Sequence, residues 1–583
     1  MMSVKLHLAA VAILVAAPFA AQADADSDFR TLLDEAWEWR LASDPVFASR
    51  LGDRRYNSDW TDDSVDAIEA RHLETRQFLR RLLRIDSSRL NETSRLDYEL
   101  FRRELTTDVE RHQFRGELLP FSHRGGIQNL DSLADLLRFE TASDYEDWIA
   151  RLGKLDTLVD QQIALAKAGL EAGIVPPRVL MQRVPAQIDA QVVDTAEASP
   201  FFEVFEALPE TIDAETQARL REQALAVIED VVLPAYTRLA RWFEEDYLPA
   251  TRETVGLSAL PNGSAWYEFL AREYTTTTMT PDEIHRLGLN EVKRLRDAML
   301  EIIEEVGFDG GFDAFLEYLR TDPEFYFDNP DELYEAYLAT CKRIDPELVK
   351  LFGKLPRMPY GVRPIPDAIA PDTTTAYYTR PAADGSRAGT YWVNLYRPEV
   401  RPKYEIEVLS VHEAVPGHHL QLALQQELGD LPAFRRYSGF TAFSEGWGLY
   451  SESLGYELGL YRDPYSRFGA LTYEMWRAVR LVVDTGLHYK GWTRDQAIDF
   501  FKANAAKTEH DIVNEIDRYI GNPGQALAYK IGQLKMLELR RAAETRLGDG
   551  FDIRAFHDEL LGAGAIPLDV LESRMNAWIA AQP

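Results

Sequence analysis

Three histidines fall within eight residues of this 583-residue chain, in Val411-His412-Glu413-Ala414-Val415-Pro416-Gly417-His418-His419-Leu420. On one face of a helix, two imidazoles four residues apart can bind a single zinc ion, and a Glu beside the first can act as general base on the zinc-bound water. His412 and Glu413 supply the first half of that pattern. The second half is displaced, because position 416 is proline, which neither ligates a metal nor continues an unbroken helix. His419 shares the face of His412 but stands roughly 10 Å further along an ideal helix, too far for an ion about 2 Å from each ligand. A shared ion therefore requires a bulge or unwinding at Pro416-Gly417 that turns one of the paired histidines back toward His412. His418 is the favoured second ligand because it follows glycine; His419 is the substitute, or a substrate contact. The plain alternative is a kinked helix whose histidines satisfy local hydrogen bonds.

An open catalytic zinc site wants three protein ligands. Ser444-Glu445-Gly446-Trp447-Gly448-Leu449-Tyr450-Ser451-Glu452 offers two carboxylates seven residues apart on one helix face. One of them can ligate while the other orients a ligand imidazole or closes the helix pair. Glu445 is the expected ligand. Further on, Arg518-Tyr519 and Pro523-Gly524-Gln525 to Tyr529 form a Pro-Gly break dense in hydrogen-bond donors. Amide hydrolysis builds negative charge on the carbonyl oxygen, and Tyr529 is the leading donor to it, with Tyr519 and Arg518 in reserve. Packing tyrosines with satisfied hydroxyls are the bland reading of that segment. His72, His112, His285 and His488 lack partners in sequence and default to structural roles.

The elements that must position these groups are mostly helical. Apolar residues recur at helical spacing at Phe29, Leu32, Leu33, Ala36 and Trp37, at Leu96, Leu100 and Leu105, and at Ile284, Leu287, Val292, Leu295, Met299 and Ile302. Thr280 to Glu283, Asn329 to Glu332 and Thr493 to Gln496 carry capping-box spacing. Between Thr373 and Tyr396 the pattern turns to Thr, Tyr, Trp and Val around Asp384-Gly385-Ser386, which predicts a hairpin. Thr251 to Thr280 is the best place for a seam between an N-terminal helical lobe (24–255) and a C-terminal catalytic lobe (256–583).

Composition bounds the function. With 64 Lys+Arg against 95 Asp+Glu the net charge is −31, which opposes nucleic acid as a partner. A 46% hydrophobic content fits a globular protein, and the single Cys341 excludes an intramolecular disulfide or a Cys-rich metal site. Lys5, the apolar run Leu8 to Ala21 and Ala21-Gln22-Ala23 read as a signal peptide over residues 1–23, with no cysteine after it for lipid attachment. No membrane span is expected. The expected location is the periplasm or the cell exterior, and oligomeric state is left open.

The segments His412 to Gln421, Ser444 to Tyr450, Val483-Asp484-Thr485-Gly486-Leu487-His488 with Gly491-Trp492-Thr493, and Arg518-Tyr519 with Pro523 to Ala526 together resemble the bacterial domain-of-unknown-function family eight-eight-five. Gly389-Thr390-Tyr391-Trp392-Val393-Asn394 and Thr275 to Thr277 with Leu287 to Leu289 fit the same family. That family is similar to helical gluzincin peptidases of the thimet-oligopeptidase and angiotensin-converting-enzyme type. The resemblance implies a mainly α fold, with two helical lobes around a deep channel and a small β-sheet near the active site. It further implies Gly389 to Leu395 as an edge strand holding extended peptides, and Tyr391, Asn394, His419, Arg518, Tyr519 and Gln525 as substrate contacts. Ligands would be His412, the second histidine (His418 favoured, His419 the substitute) and Glu445, with Glu413 as base. The expected function is a zinc-dependent peptidase on short peptides, its zinc-bound water activated by Glu413 to attack the amide carbonyl. The alternatives are a non-catalytic helical peptide- or ligand-binding protein, and a zinc amidase or ester hydrolase acting on a non-peptide substrate.

Overall fold

Apolar positions that repeat at helical spacing lie where a helix can bury them. In the computed structural model, Phe29, Leu32, Leu33 and Ala36 form the buried side of the helix Leu8–Ser43, and Leu100 and Leu105 that of Glu92–Arg111. Helix α1 (Pro281–Glu305) buries Ile284, Val292, Leu295, Met299 and Ile302. The structure describes residues 8–583 except 368, 369, 373, 383, 384, 386, 430 and 438, and of residues 8–24 and 372 the backbone alone. The signal-peptide reading over residues 1–23 therefore lies outside the described side chains. Among the described residues no helix is long and apolar enough to cross a membrane.

Two of the three expected capping boxes close, at Thr280 with Glu283 and at Thr493 with Gln496. Asn329 caps its helix by accepting from the Asp331 amide instead, so Glu332 is not used. Backbone proximity divides the chain into Met1–Val255 with Pro432–Arg435, and Gly256–Leu431 with Arg436–Pro583. Sequence patterning gave no sign of the 432–435 excursion. It is held by a buried ion pair, Arg435 to Asp97 at 2.7 Å, and by Phe434 against Phe101 at 5.2 Å. Elsewhere in the first unit, Trp148 is buried between Trp60 and Phe201.

The second unit carries the site on six helices and a sheet. They are α2 (Ile406–Glu413), α3 (His418–Glu427), α4 (Thr441–Ser453), α5 (Pro464–His488), α6 (Glu509–Gly521) and α7 (Ala528–Leu547). Strands β1 (Tyr360–Pro364), β2 (Ala376–Thr379) and β3 (Gly389–Val393) form a sheet in the order β1-β3-β2. The expected hairpin is present as antiparallel β2 and β3, with Tyr378 opposite Tyr391; its turn residues Asp384 and Ser386 lie outside the described residues. One expectation is corrected. The strand starting at Gly389 is central, not an edge, because β1 pairs with it in parallel on the other side, Val362 opposite Tyr391. Its backbone is committed within the sheet. β1 escaped the sequence reading because Arg363 and Pro364 dilute its five-residue pattern.

One buried cation fastens α5 and α7 to α1. Lys530 on α7 is fully buried, with its ammonium 2.7 Å from Glu474 on α5 and 3.0 Å from Glu291 on α1. Arg294 shares both carboxylates. Removing one partner of a buried ionic network strands the remaining charge, at a cost on the order of 3 kcal/mol. Lys530→Met is expected to lower the unfolding free energy measured by urea titration by that order, whereas the exposed Lys293→Met should leave it within about 0.5 kcal/mol of wild type.

Candidate metal centre

Helix α2 ends abruptly after Glu413. Ala414 leaves helical geometry at φ −94°, ψ −108°, the Val415–Pro416 peptide is cis, and Gly417 lies at φ −74°, ψ −127° before α3 begins at His418. The break is closed by backbone hydrogen bonds from the Gly417 amide to the Val411 carbonyl (2.9 Å) and from the His419 amide to the Ala414 carbonyl (3.0 Å). Any side chain at 417 would start 1.9 Å from the His412 carbonyl oxygen. Trp447, fully buried on α4, donates its indole N–H to the Pro416 carbonyl at 2.8 Å. An orphan carbonyl at a helix break is thus satisfied from the helix that also carries Glu445 and Glu452.

The consequence is convergence. The imidazoles of His412 and His418 stand 4.8 Å apart between centroids, edge to face, and Glu445 reaches between them. Its Oε2 lies 3.4 Å from His418 Nε2 and 3.8 Å from His412 Nε2. One ligand atom from each residue falls within 4.8 Å of the other two, a grouping unique among the described residues. Tetrahedral ligands about 2.1 Å from a zinc ion stand roughly 3.4 Å from one another, close to the two separations from Glu445 Oε2.

Supporting contacts fix the first ligand. Glu452 Oε1 lies 2.7 Å from His412 Nδ1, which leaves Nε2 facing Glu445 and His418. Of the two carboxylates on α4, one therefore faces the ion position and the other orients a ligand ring. A methyl group at Gly448 would lie 2.8 Å from the His412 ring, so glycine lets that ring lie flat on α4.

The electrostatics fit a dication. Glu413, Glu445 and Glu452 surround two imidazoles, and Arg477 approaches Glu452 at 4.0 Å. Three carboxylates against one guanidinium leave two negative charges to be balanced. Burial, which disfavours a charged ring, is outweighed at His412 by the carboxylates of Glu445 and Glu452, and its pKa rises to about 9. At Glu445 burial is likewise outweighed, by His412 and His418, and its pKa falls well below the ordinary carboxylate value. Glu413 shifts the other way, because burial prevails over the attraction of the two imidazoles, and it makes no hydrogen bond among the described residues. A carboxylate with a raised pKa beside an ion site has the character of a proton acceptor that can give the proton back.

The other expected site residues divide. Tyr529, partly exposed on α7, has its phenol pKa raised by burial and then by the Glu445 charge, so it stays a donor within reach of that carboxylate's field. His419 turns away from the ion position. Its Nδ1 pairs with the Tyr378 hydroxyl at 2.8 Å and its Nε2 with the Met358 carbonyl at 3.1 Å, while burial lowers its pKa to about 4. It fastens α3 to the sheet, and is neither substitute ligand nor free substrate contact. Asn394 is fully buried, donating to the Ala370 and Thr374 carbonyls and accepting from the Tyr396 amide, which commits its amide to the loop. Tyr391 is also fully buried, edge-on to Tyr337. The Tyr519 hydroxyl is occupied by Trp476, Arg480 and Glu515, Gln525 accepts from Arg518, and Arg518 pairs with Glu515. Tyr519 has spent its only donor on Glu515, and each nitrogen of Arg518 is already bonded to Glu515 or Gln525.

Of the remaining histidines, His488 receives the Leu257 amide on Nδ1 and pairs through Nε2 with the Tyr519 carbonyl, as suits a structural role. Sequence reasoning missed Arg477 and Arg480. Two arginines three apart in Met475-Trp476-Arg477-Ala478-Val479-Arg480-Leu481-Val482-Val483 were the available signal, since charge inside so apolar a helix demands partners.

Similarity to known proteins agrees with this architecture. A crystal structure of a putative lipoprotein from Colwellia psychrerythraea superposes with a TM-score of 0.86 at 30% identity, covering 96% of this chain and 100% of that one. A putative lipoprotein of unknown function from Shewanella oneidensis shares the fold, with a TM-score of 0.76 at 15% identity over 94% of this chain and 99% of that one. No functionally curated protein matches. The family model for bacterial proteins of unknown function designated DUF885 matches residues 45–575, nearly the whole chain, and the protein belongs to that family.

Proposed function

We propose that the protein is a zinc-dependent peptidase acting on short peptides outside the cytoplasm. The observation that carries this reading is the convergence of His412, His418 and Glu445 on one point, with Glu413 adjacent and unpaired. Zinc held by those three residues would supply Lewis-acid polarisation of a scissile carbonyl. The chain supplies the rest. Glu413, its carboxyl poised by burial, accepts the proton of the attacking water and delivers it to the departing amine. Tyr529 donates its phenol hydrogen to the oxygen on which charge accumulates, the term that lowers acyl-transfer barriers most. Glu452 holds the His412 ring in place, and Trp447 holds the backbone break that brings His418 across. The lipoprotein description of the similar Colwellia structure favours an extracytoplasmic location.

Three measurements test this. On a mixed library of short peptides, wild type is expected to cleave, and Glu413→Gln to lose at least a thousandfold in kcat/KM while retaining its metal. Intact peptides with a fully metal-loaded wild type would favour a binding protein instead. Glu452→Gln is expected to weaken zinc binding 10- to 100-fold in a chelator competition, the usual effect of removing a partner that orients a ligand ring. The pH dependence has a definite sign. A proton on His412 must leave before Nε2 can ligate, and that proton is held up to a pKa of about 9, so apparent zinc affinity should climb from pH 6 to pH 9 and flatten above it. An affinity that does not change over that range would contradict the assignment of His412.

A further inference from the structure

A cluster of cations lies beside the candidate centre on α5 and α6, and it is not neutralised from within. Arg477 and Arg480 are one turn apart on α5 and buried at 5% and 4% exposure. Lys507 pairs with Glu405 at 2.7 Å, and Arg477 comes no closer than 4.0 Å to Glu452, which already holds His412. Arg480 and Arg518 share the single carboxylate of Glu515, at 3.2 and 2.9 Å. With Arg477 and Glu452 counted at the centre, the three cations Arg480, Arg518 and Lys507 face the two carboxylates of Glu515 and Glu405. The surplus is one positive charge in a buried setting, which a protein stabilises only with an anion.

The hydrogen-bond inventory points to the same place. Arg480 donates through Nε to the Tyr519 hydroxyl at 2.8 Å and through Nη2 to Glu515, but its buried Nη1 has no partner among the described residues. Arg477 Nε is likewise buried without one. The Arg480 guanidinium is held flat, 4.2 Å from the Tyr529 ring centroid and 4.8 Å from that of Trp476. Tyr529 and Trp476 are partly exposed, so the two rings are the accessible edges of an otherwise buried stack. Tyr529 also lies in the field of Glu445, which puts this stack next to the ion position.

We infer that Arg480, supported by Arg477, is a subsite for a carboxylate of the substrate, one that a peptide presents while its scissile bond lies at the His412–His418–Glu445 centre. This rests on the peptidase reading and adds its substrate class: short peptides anchored by a carboxylate. A monoanion matches both the surplus charge and the unused donor, and a charge-assisted hydrogen bond to guanidinium is the strong form of such a contact. The carboxylate comes either from the peptide's C-terminus or from an acidic side chain. Arg480 positions the substrate and takes no part in bond breaking.

Calorimetric binding to zinc-loaded Glu413→Gln protein separates these cases with three probes: tetra-alanine with a free C-terminus, the same peptide as its C-terminal amide, and a tetrapeptide amide carrying one glutamate side chain. The free acid is expected to bind at least tenfold more tightly than the plain amide. If the glutamyl amide recovers that affinity, an acidic side chain serves as well; if it does not, the C-terminal carboxylate is the one read. The discrimination should fall below twofold when Arg480→Met is added, with circular dichroism reporting whether that variant folds. Should it misfold, the same three probes on the metal-free protein decide, since no ion is then present to hold the carboxylate: discrimination that persists there supports the subsite, and its loss overturns it. All three probes binding within twofold of one another, or none binding at millimolar concentration, would overturn the subsite. So would discrimination that survives in folded Arg480→Met, since the metal or another cation would then hold the carboxylate. Wild type that hydrolyses acids and amides equally well removes the subsite and leaves the peptidase standing. Wild type that hydrolyses nothing, yet discriminates in binding, removes the peptidase and leaves the subsite.

Discussion

The four residues between Glu413 and His418 impose the constraint on which the site depends. On an unbroken helix, side chains six residues apart point about 120° away from each other and stand roughly 9 Å apart along the axis, so His412 and His418 could never share an ion. Ending α2 at Glu413 and restarting at His418 brings the two rings to 4.8 Å. The break leaves a carbonyl and two amides to satisfy. Trp447 takes the carbonyl, and the amides of Gly417 and His419 bond back to Val411 and Ala414. The same helix α4 presents Glu445 and Glu452 to opposite edges of the His412 ring, so the break and the candidate centre are stabilised as one unit.

Much of this could be read from residue types and spacing. Pro416 ruled out a regular second ligand, and the glycine before His418 marked where the chain could turn; the structure brings His418, not His419, toward Glu445. Helices with a clear 3.6-residue repeat and the β2–β3 hairpin were legible for the same reason, since their signals are local. What sequence could not show was which polar groups would be consumed by tertiary partners. Asn394, Tyr519 and Gln525 look like free donors in a string of residues, yet each is bound by groups dozens of positions away or across a turn. The central position of β3 was hidden for a related reason, because β1 is a five-residue strand ending in proline and pairs through a crossover.

The charge distribution runs opposite to the composition. A chain with a net charge of −31 concentrates arginine inside α5 and α6, where Arg477, Arg480 and Arg518 stack on Tyr473, Trp476, Tyr519 and Tyr529. Beside them the centre itself holds three carboxylates. A buried anionic point next to a buried cationic one is costly unless each meets its counter-charge, and a dication together with a substrate carboxylate would neutralise both. This pairing gives one physical reason for two features that otherwise stand apart: carboxylates crowded around His412, and an arginine donor left without a partner.

The central claim is that His412, His418 and Glu445 hold one zinc ion. Anomalous diffraction from crystals of the purified protein, collected above and below the zinc absorption edge, tests it most directly. The account predicts a single peak about 2 Å from His412 Nε2, His418 Nε2 and a Glu445 carboxylate oxygen. Zinc-replete crystals with no anomalous peak at that point, or with the peak on other residues, would contradict it.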